Sequence, residues 1–140
     1  MIEAHARVLA IEDALGTIKE IAGDLKDMDI EVDYAETVPV AEQLLKSRRY
    51  DILLVDVMIP GHDGNIVESG GLDLLHRLRT GDFGETNSHA PFFILTGQKP
   101  ALDEHALANI PGCLGVEKKL LQHRLLSKIR AKVDETKSRR

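Results

Sequence analysis

The chain has 140 residues, 43% of them hydrophobic but only 4% aromatic, no Trp, and a net charge of −5. That is the size of one ordinary domain with an aliphatic core, and the negative balance argues against generic nucleic-acid binding. The single cysteine, Cys113, excludes an internal disulfide, and no apolar run approaches the roughly 18 residues of a membrane span. The expectation is one domain over 1–140, with a core over about 7–133 and a polar tail over 134–140, in a soluble cytoplasmic protein without membrane contact.

Arg7 to Ile11 reads as a short apolar strand ending at Glu12-Asp13. Leu15, Ile18, Ile21, Ala22 and Leu25 recur at helical spacing, which predicts a helix over Leu15 to Lys26. Ile30, Val32 and Tyr34 alternate with Glu31, Asp33 and Ala35, the pattern of a half-buried edge strand. Val38, Ala41, Leu44 and Leu45 mark a second helix with Pro39 in its first turn, where proline is tolerated. Next comes Ile52-Leu53-Leu54-Val55-Asp56, an apolar run that closes on a carboxylate. Burying each of the four aliphatic side chains contributes about 1.5–3 kcal/mol. An ionised Asp in the same surroundings costs several kcal/mol unless compensated, so Asp56 belongs at the strand's open end or beside a counter-charge.

Leu72, Leu75 and Leu78 mark a third helix entered through Ser69-Gly70-Gly71, and a polar loop over Thr80 to His89 leads to the strand Pro91 to Thr96. A fourth helix is predicted over Ala101 to Asn109, a short strand over Cys113 to Val116, and a last helix carrying Leu121, Leu125, Ile129 and Val133. The outer face of that helix, with Gln122, Arg124, Lys128 and Arg130, reads as solvated. Five alternations of strand and helix predict an α/β fold: a parallel sheet with helices on both faces.

In such a sheet the strand ends share one edge, where ligands bind. That edge would gather Glu12 and Asp13, Asp56, Thr96 and Lys118. Close carboxylates repel unless a cation joins them, and a hard divalent ion with oxygen ligands is the natural choice. Asp56 could then attack phosphorus and form an aspartyl phosphate, while Thr96 and Lys118 donate to the remaining phosphoryl oxygens. Glu12-Asp13 also suits the start of a helix, and the two roles are compatible.

At these residues the chain resembles the receiver domain of two-component response regulators, over nearly its whole length from about Arg7 to Val133. Glu12-Asp13 matches the family's acidic pair, Asp56 its phosphoacceptor with Met58 and Pro60 as the usual sequel, Thr96-Gly97 its hydroxyl residue followed by a small one, and Lys118 its lysine after the fifth strand. The resemblance implies a flavodoxin-like sheet of order 2-1-3-4-5. It implies Mg²⁺ held by Glu12, Asp13, Asp56 and the backbone carbonyl of Met58, and Asp56, Thr96 and Lys118 as the residues of phosphoryl transfer. It also implies a histidine kinase or phosphotransfer protein as donor. No further domain is expected after the last helix, so output would pass through a protein partner or self-association, not through nucleic acid. Such a domain promotes its own phosphorylation and slow dephosphorylation and turns over no separate substrate.

Three departures accompany the resemblance. The glycine ahead of the Leu-rich helix, Gly71, stands seven residues later than the family's spacing, which places Gly64 there and predicts an insertion over His62 to Ser69. Gly115 stands where the family has an aromatic residue, and Lys119 where it has a proline. These two suit the rival reading of a pseudo-receiver, an interaction module of the same fold that is not phosphorylated. A phosphatase of the haloacid-dehalogenase type would need a second Asp where Met58 stands, and a flavodoxin would need a phosphate loop where Glu12-Asp13 stands.

Overall fold

The computed structural model describes residues 6–12, 15–56, 59–60, 66–67, 70–96, 109–118 and 122–138. The elements are β1 (Ala6–Ile11), α1 (Leu15–Asp27), β2 (Ile30–Ala35), α2 (Val38–Ser47), β3 (Ile52–Asp56), β4 (Ile59–Pro60), β5 (Ile66–Val67), α3 (Gly70–Arg79), β6 (Phe92–Thr96), β7 (Cys113–Lys118) and α4 (Gln122–Ser138). Five strands form one parallel sheet of order β2-β1-β3-β6-β7, which is 2-1-3-4-5 when only the strands of this sheet are counted. This is the flavodoxin-like order that the sequence predicts.

The period of two along each strand divides the core into two layers. Leu9, Ile11, Leu53, Val55, Phe92 and Ile94 face α2 and α3, meeting Val38, Ala41, Leu45, Leu74, Leu75 and Leu78. Val8, Ala10, Ile52, Leu54, Phe93 and Leu95 face α1 and α4, meeting Leu25, Leu125, Ile129 and Val133. β3 is buried along its whole length because helices cover both of its faces. β2, at the sheet's edge, exposes Glu31 and buries Ile30, as its alternation predicts, but Ala35, expected on the polar side, is fully buried, and Val32 and Tyr34 are half-buried.

The structure departs from expectation near the C-terminus and after β3. The last helix runs to Ser138, so residues 134–138, expected in a polar tail, are helical. Val133 is still the last residue of the core among the described residues; beyond it the helix continues through the exposed Asp134 and Glu135. A small antiparallel pair joins the residues just before the expected insertion to residues within it, Ile59 opposite Val67 and Pro60 opposite Ile66. The helix expected over 101–109 lies, up to residue 108, outside the described residues.

The amino-terminal end of β3 is tied down by polar contacts. The Arg7 backbone N–H donates to Asp51 Oδ2 (2.9 Å), and the Tyr50 hydroxyl donates to Asp33 Oδ2 (2.7 Å). Arg48 pairs with Asp33 at 3.2 Å on the exposed side. Burial, reinforced by the Asp33 carboxylate, pushes the Tyr50 phenol well above its ordinary 10.0. A phenol raised in the folded state contributes stability that is complete below the unfolded value of about 10 and is lost as pH rises through the folded value. Tyr50→Phe is therefore expected to cost about 1–2 kcal/mol at neutral pH. It should also shrink the alkaline fall of stability in urea titrations carried up to about pH 11. Part of that fall should remain, because burial raises the Tyr34 phenol as well. An alkaline limb identical to wild type would contradict this role for Tyr50.

Candidate functional site

Because all five strands are parallel, their carboxyl ends lie on one edge of the sheet. β1 and β3 run in register to the pair Ile11–Val55, and one residue further on each strand stand Glu12 and Asp56. Both are charged residues in an otherwise aliphatic layer, and both are buried, at 1% and 2% exposure. The Glu12 backbone N–H donates to the Ala35 carbonyl (2.9 Å), which carries the β1–β2 ladder one residue past the strand and fixes where Glu12 sits. Across β3, Asp56 is in register with Leu95 of β6. On β6 and β7 the last registered pair is Thr96 with Lys118. The four residues Glu12, Asp56, Thr96 and Lys118 thus occupy the ends of β1, β3, β6 and β7, four neighbouring strands, in the arrangement that the sequence predicts. Lys118 closes β7 itself, two residues beyond the expected end of that strand at Val116. Asp13 and Met58 lie outside the described residues, as does Lys119.

Glu12 and Asp56 supply only carboxylate oxygens, the donors a hard divalent cation such as Mg²⁺ prefers. The donor chemistry therefore fits such an ion. Among the described residues no group of three His, Cys, Asp or Glu side chains converges on one point, so a full ligand set has to draw on residues beyond them.

Two features of the edge escaped the sequence reading. The first is the contact between α3 and β3. A Cβ on Gly71 would stand 2.0 Å from the Asp56 carbonyl oxygen and 3.1 Å from Val55 Cγ1, so the first turn of α3 lies directly on the backbone of the acceptor candidate. Gly71 is the glycine that the sequence aligns ahead of the Leu-rich helix, but its spacing alone does not reveal what it touches. The second is Glu117. It is 2% exposed, in register with Leu95, and its Oε1 accepts from Lys128 Nζ on α4. Lys128, assigned to a solvated face by the sequence, instead turns toward the sheet and keeps 37% of its side chain exposed. The available signal was its place three residues after Leu125 and one before Ile129, on the flank of the buried stripe. Gly115 is in register with Phe93, and a Cβ there would meet Glu117 Oε1 at 3.4 Å.

The far edge of the sheet is stabilised by Asn87, buried in the loop that the sequence reads as merely polar. Its Oδ1 accepts from the Tyr50 N–H (2.8 Å), and its Nδ2 donates to the carbonyls of Leu45 (2.9 Å) and Arg48 (2.7 Å). Arg79 closes the same loop by donating to the carbonyls of Ser88 and Ala90, each at 2.6 Å. Among the described residues no helix is long and apolar enough to cross a membrane.

No family model matches the chain, and no curated protein sequence does. Solved structures do. The receiver domain of a Francisella response regulator superposes with a TM-score of 0.72 at 20% identity, covering 94% of this chain and 98% of that one. The non-phosphorylated HemR receiver domain from Leptospira biflexa gives 0.71 at 23% identity, covering 91% and 94%. NtrX from Brucella abortus gives 0.72 at 19% identity, covering 96% of this chain but 28% of that longer one. At such identities the likeness is one of fold. The chain has the fold of response-regulator receiver domains, with Asp56 at the carboxyl end of the central strand.

Proposed function

We propose that this chain is a phosphorylatable signalling receiver, in which Asp56 accepts a phosphoryl group from a histidine kinase or phosphotransfer protein. The observation that carries the reading is the placement of Glu12 and Asp56, two buried carboxylates, at the ends of neighbouring central strands. A buried charge has to be compensated to be tolerated, so a sheet built for stability alone would not be expected to gather two of them at neighbouring strand ends.

In the transfer, an Asp56 carboxylate oxygen forms a bond to phosphorus. The donor's P–N or P–O bond breaks, and its electron pair leaves with the donor. Thr96 and Lys118, side by side at the ends of β6 and β7, would donate hydrogen bonds to the phosphoryl oxygens and hold them in place. A bound Mg²⁺, with Glu12, Asp13, Asp56 and the Met58 carbonyl as its ligands, would supply neutralisation of the developing charge. Burial of Asp56 limits access by water and favours a long-lived adduct. The signal would then leave through contacts with a protein partner or a second copy of the chain, in a cytoplasmic setting, and without nucleic acid.

The test is incubation of the full chain with acetyl phosphate, with Mg²⁺ or with a chelator, followed by intact mass. Wild type with Mg²⁺ should gain a single phosphoryl group; the chelated sample and Asp56→Asn should gain none. A folded wild type without an adduct would favour the pseudo-receiver reading, to which Gly115 and Lys119 already lend some support.

A further inference from the structure

We infer that Lys128, on the last helix, tunes the candidate phosphoryl site by neutralising the buried Glu117. The inference rests on the reading of Asp56 as a phosphoacceptor and deepens it. Asp56 and Glu117 are both in register with Leu95, one on each side of β6. They therefore project from the same face of the sheet, the face covered by α1 and α4. Two strand spacings put their backbones about 10 Å apart. Glu117 is 2% exposed, so solvent screens its charge poorly. Its Oε1 is held by Lys128 Nζ, and this pair links the end of β7, next to Lys118, to the middle of α4.

An unneutralised carboxylate here would oppose a phosphoryl group arriving at Asp56. At about 10 Å and an effective dielectric constant of about 20, one elementary charge shifts the free energy of bringing the anionic phosphoryl group to Asp56, in the transition state as in the product, by the equivalent of roughly ten-fold. Lys128 removes this penalty without touching the acceptor, so it is a positioning residue that acts through Glu117. The position of Gly115 fits the same picture. The Glu117 carboxylate lies beside Gly115, where a Cβ would stand 3.4 Å from Oε1, in ordinary contact. Because coupling is reciprocal, charge added at Asp56 acts back on the ion pair and through it on α4. That gives the chain a relay that needs no aromatic side chain at position 115.

The experiment compares initial rates of phosphorylation by acetyl phosphate and Mg²⁺, read by intact mass, in the full chain. The variants are Lys128→Met, Lys128→Arg, Glu117→Gln and the double variant Glu117→Gln/Lys128→Met, each checked for cooperative melting. Lys128→Met should be about ten-fold slower than wild type. Lys128→Arg, which keeps the charge, should be close to wild type. Glu117→Gln should be at least as fast as wild type, and the double variant should recover the rate because the charge at position 117 is gone as well. Equal rates for wild type and Lys128→Met, a slow Glu117→Gln, or a double variant as slow as Lys128→Met would each overturn the inference while leaving Asp56 as acceptor. A wild type that takes no phosphoryl group would overturn the acceptor reading and this inference with it.

Discussion

Gly71→Ala is expected to destabilise the protein by about 3 kcal/mol, although alanine is the better helix former. The methyl group would be forced to 2.0 Å from the Asp56 carbonyl oxygen and 2.9 Å from its carbonyl carbon. Both are backbone atoms of a strand buried on both faces, so neither can swing aside as the tip of a side chain could. Either α3 lifts away from the sheet, opening the layer around Leu74, Leu75 and Leu78, or the end of β3 is displaced and Asp56 moves with it. Gly23→Ala is the internal control. Gly23 lies within α1 and is exposed, and a Cβ there meets nothing within 4 Å. That change should stabilise the protein by about 0.5–1 kcal/mol, the ordinary helical gain. In thermal melts the two glycine variants should therefore move in opposite directions, with Gly71→Ala lowering Tm by roughly 10 °C. A Gly71→Ala protein as stable as Gly23→Ala would contradict the close approach of α3 to Asp56.

Asn87→Ala should cost a similar amount, about 3 kcal/mol, for a different reason. The side chain makes three hydrogen bonds in a buried setting, accepting from the Tyr50 N–H and donating to the carbonyls of Leu45 and Arg48. These join the loop before β6 to the end of α2 and the approach to β3. Truncation removes the acceptor of the buried Tyr50 N–H, and an orphaned buried donor costs more than the bond itself was worth. Denaturant midpoints measure the loss. Phosphorylation of the folded fraction should be unaffected, because Asn87 stands at the opposite edge of the sheet from Asp56. A midpoint within a few tenths of a kcal/mol of wild type would show that the loop is held by other contacts, such as those of Arg79.

The parallel sheet and the candidate site were largely legible in the sequence because both follow from pattern at short range. Ile52 to Val55 is a continuous apolar run, which in an alternating α/β chain marks a central strand, and Asp56 is conspicuous because it ends that run. The order of the strands then brings Glu12, Thr96 and Lys118 to the same edge without any knowledge of side-chain geometry. What was not legible depends on contacts between residues far apart in the chain. Asn87 looks like any polar loop residue until its partners, more than 35 positions away, are known. Lys128 looks solvated until Glu117 is found buried beneath it. The β4–β5 pair, two residues on each strand, is too short to show a period. The helix beyond Val133 has no apolar stripe to announce it.

The most direct test of the central claim is to locate the modified residue. Wild-type protein treated with acetyl phosphate and Mg²⁺ is digested at low temperature, and the phosphoryl group is assigned by peptide mass spectrometry. The group is expected on Asp56 and nowhere else. A phosphoryl group on another residue, or none on a folded protein, would contradict the claim that the carboxylate closing the central strand is the acceptor.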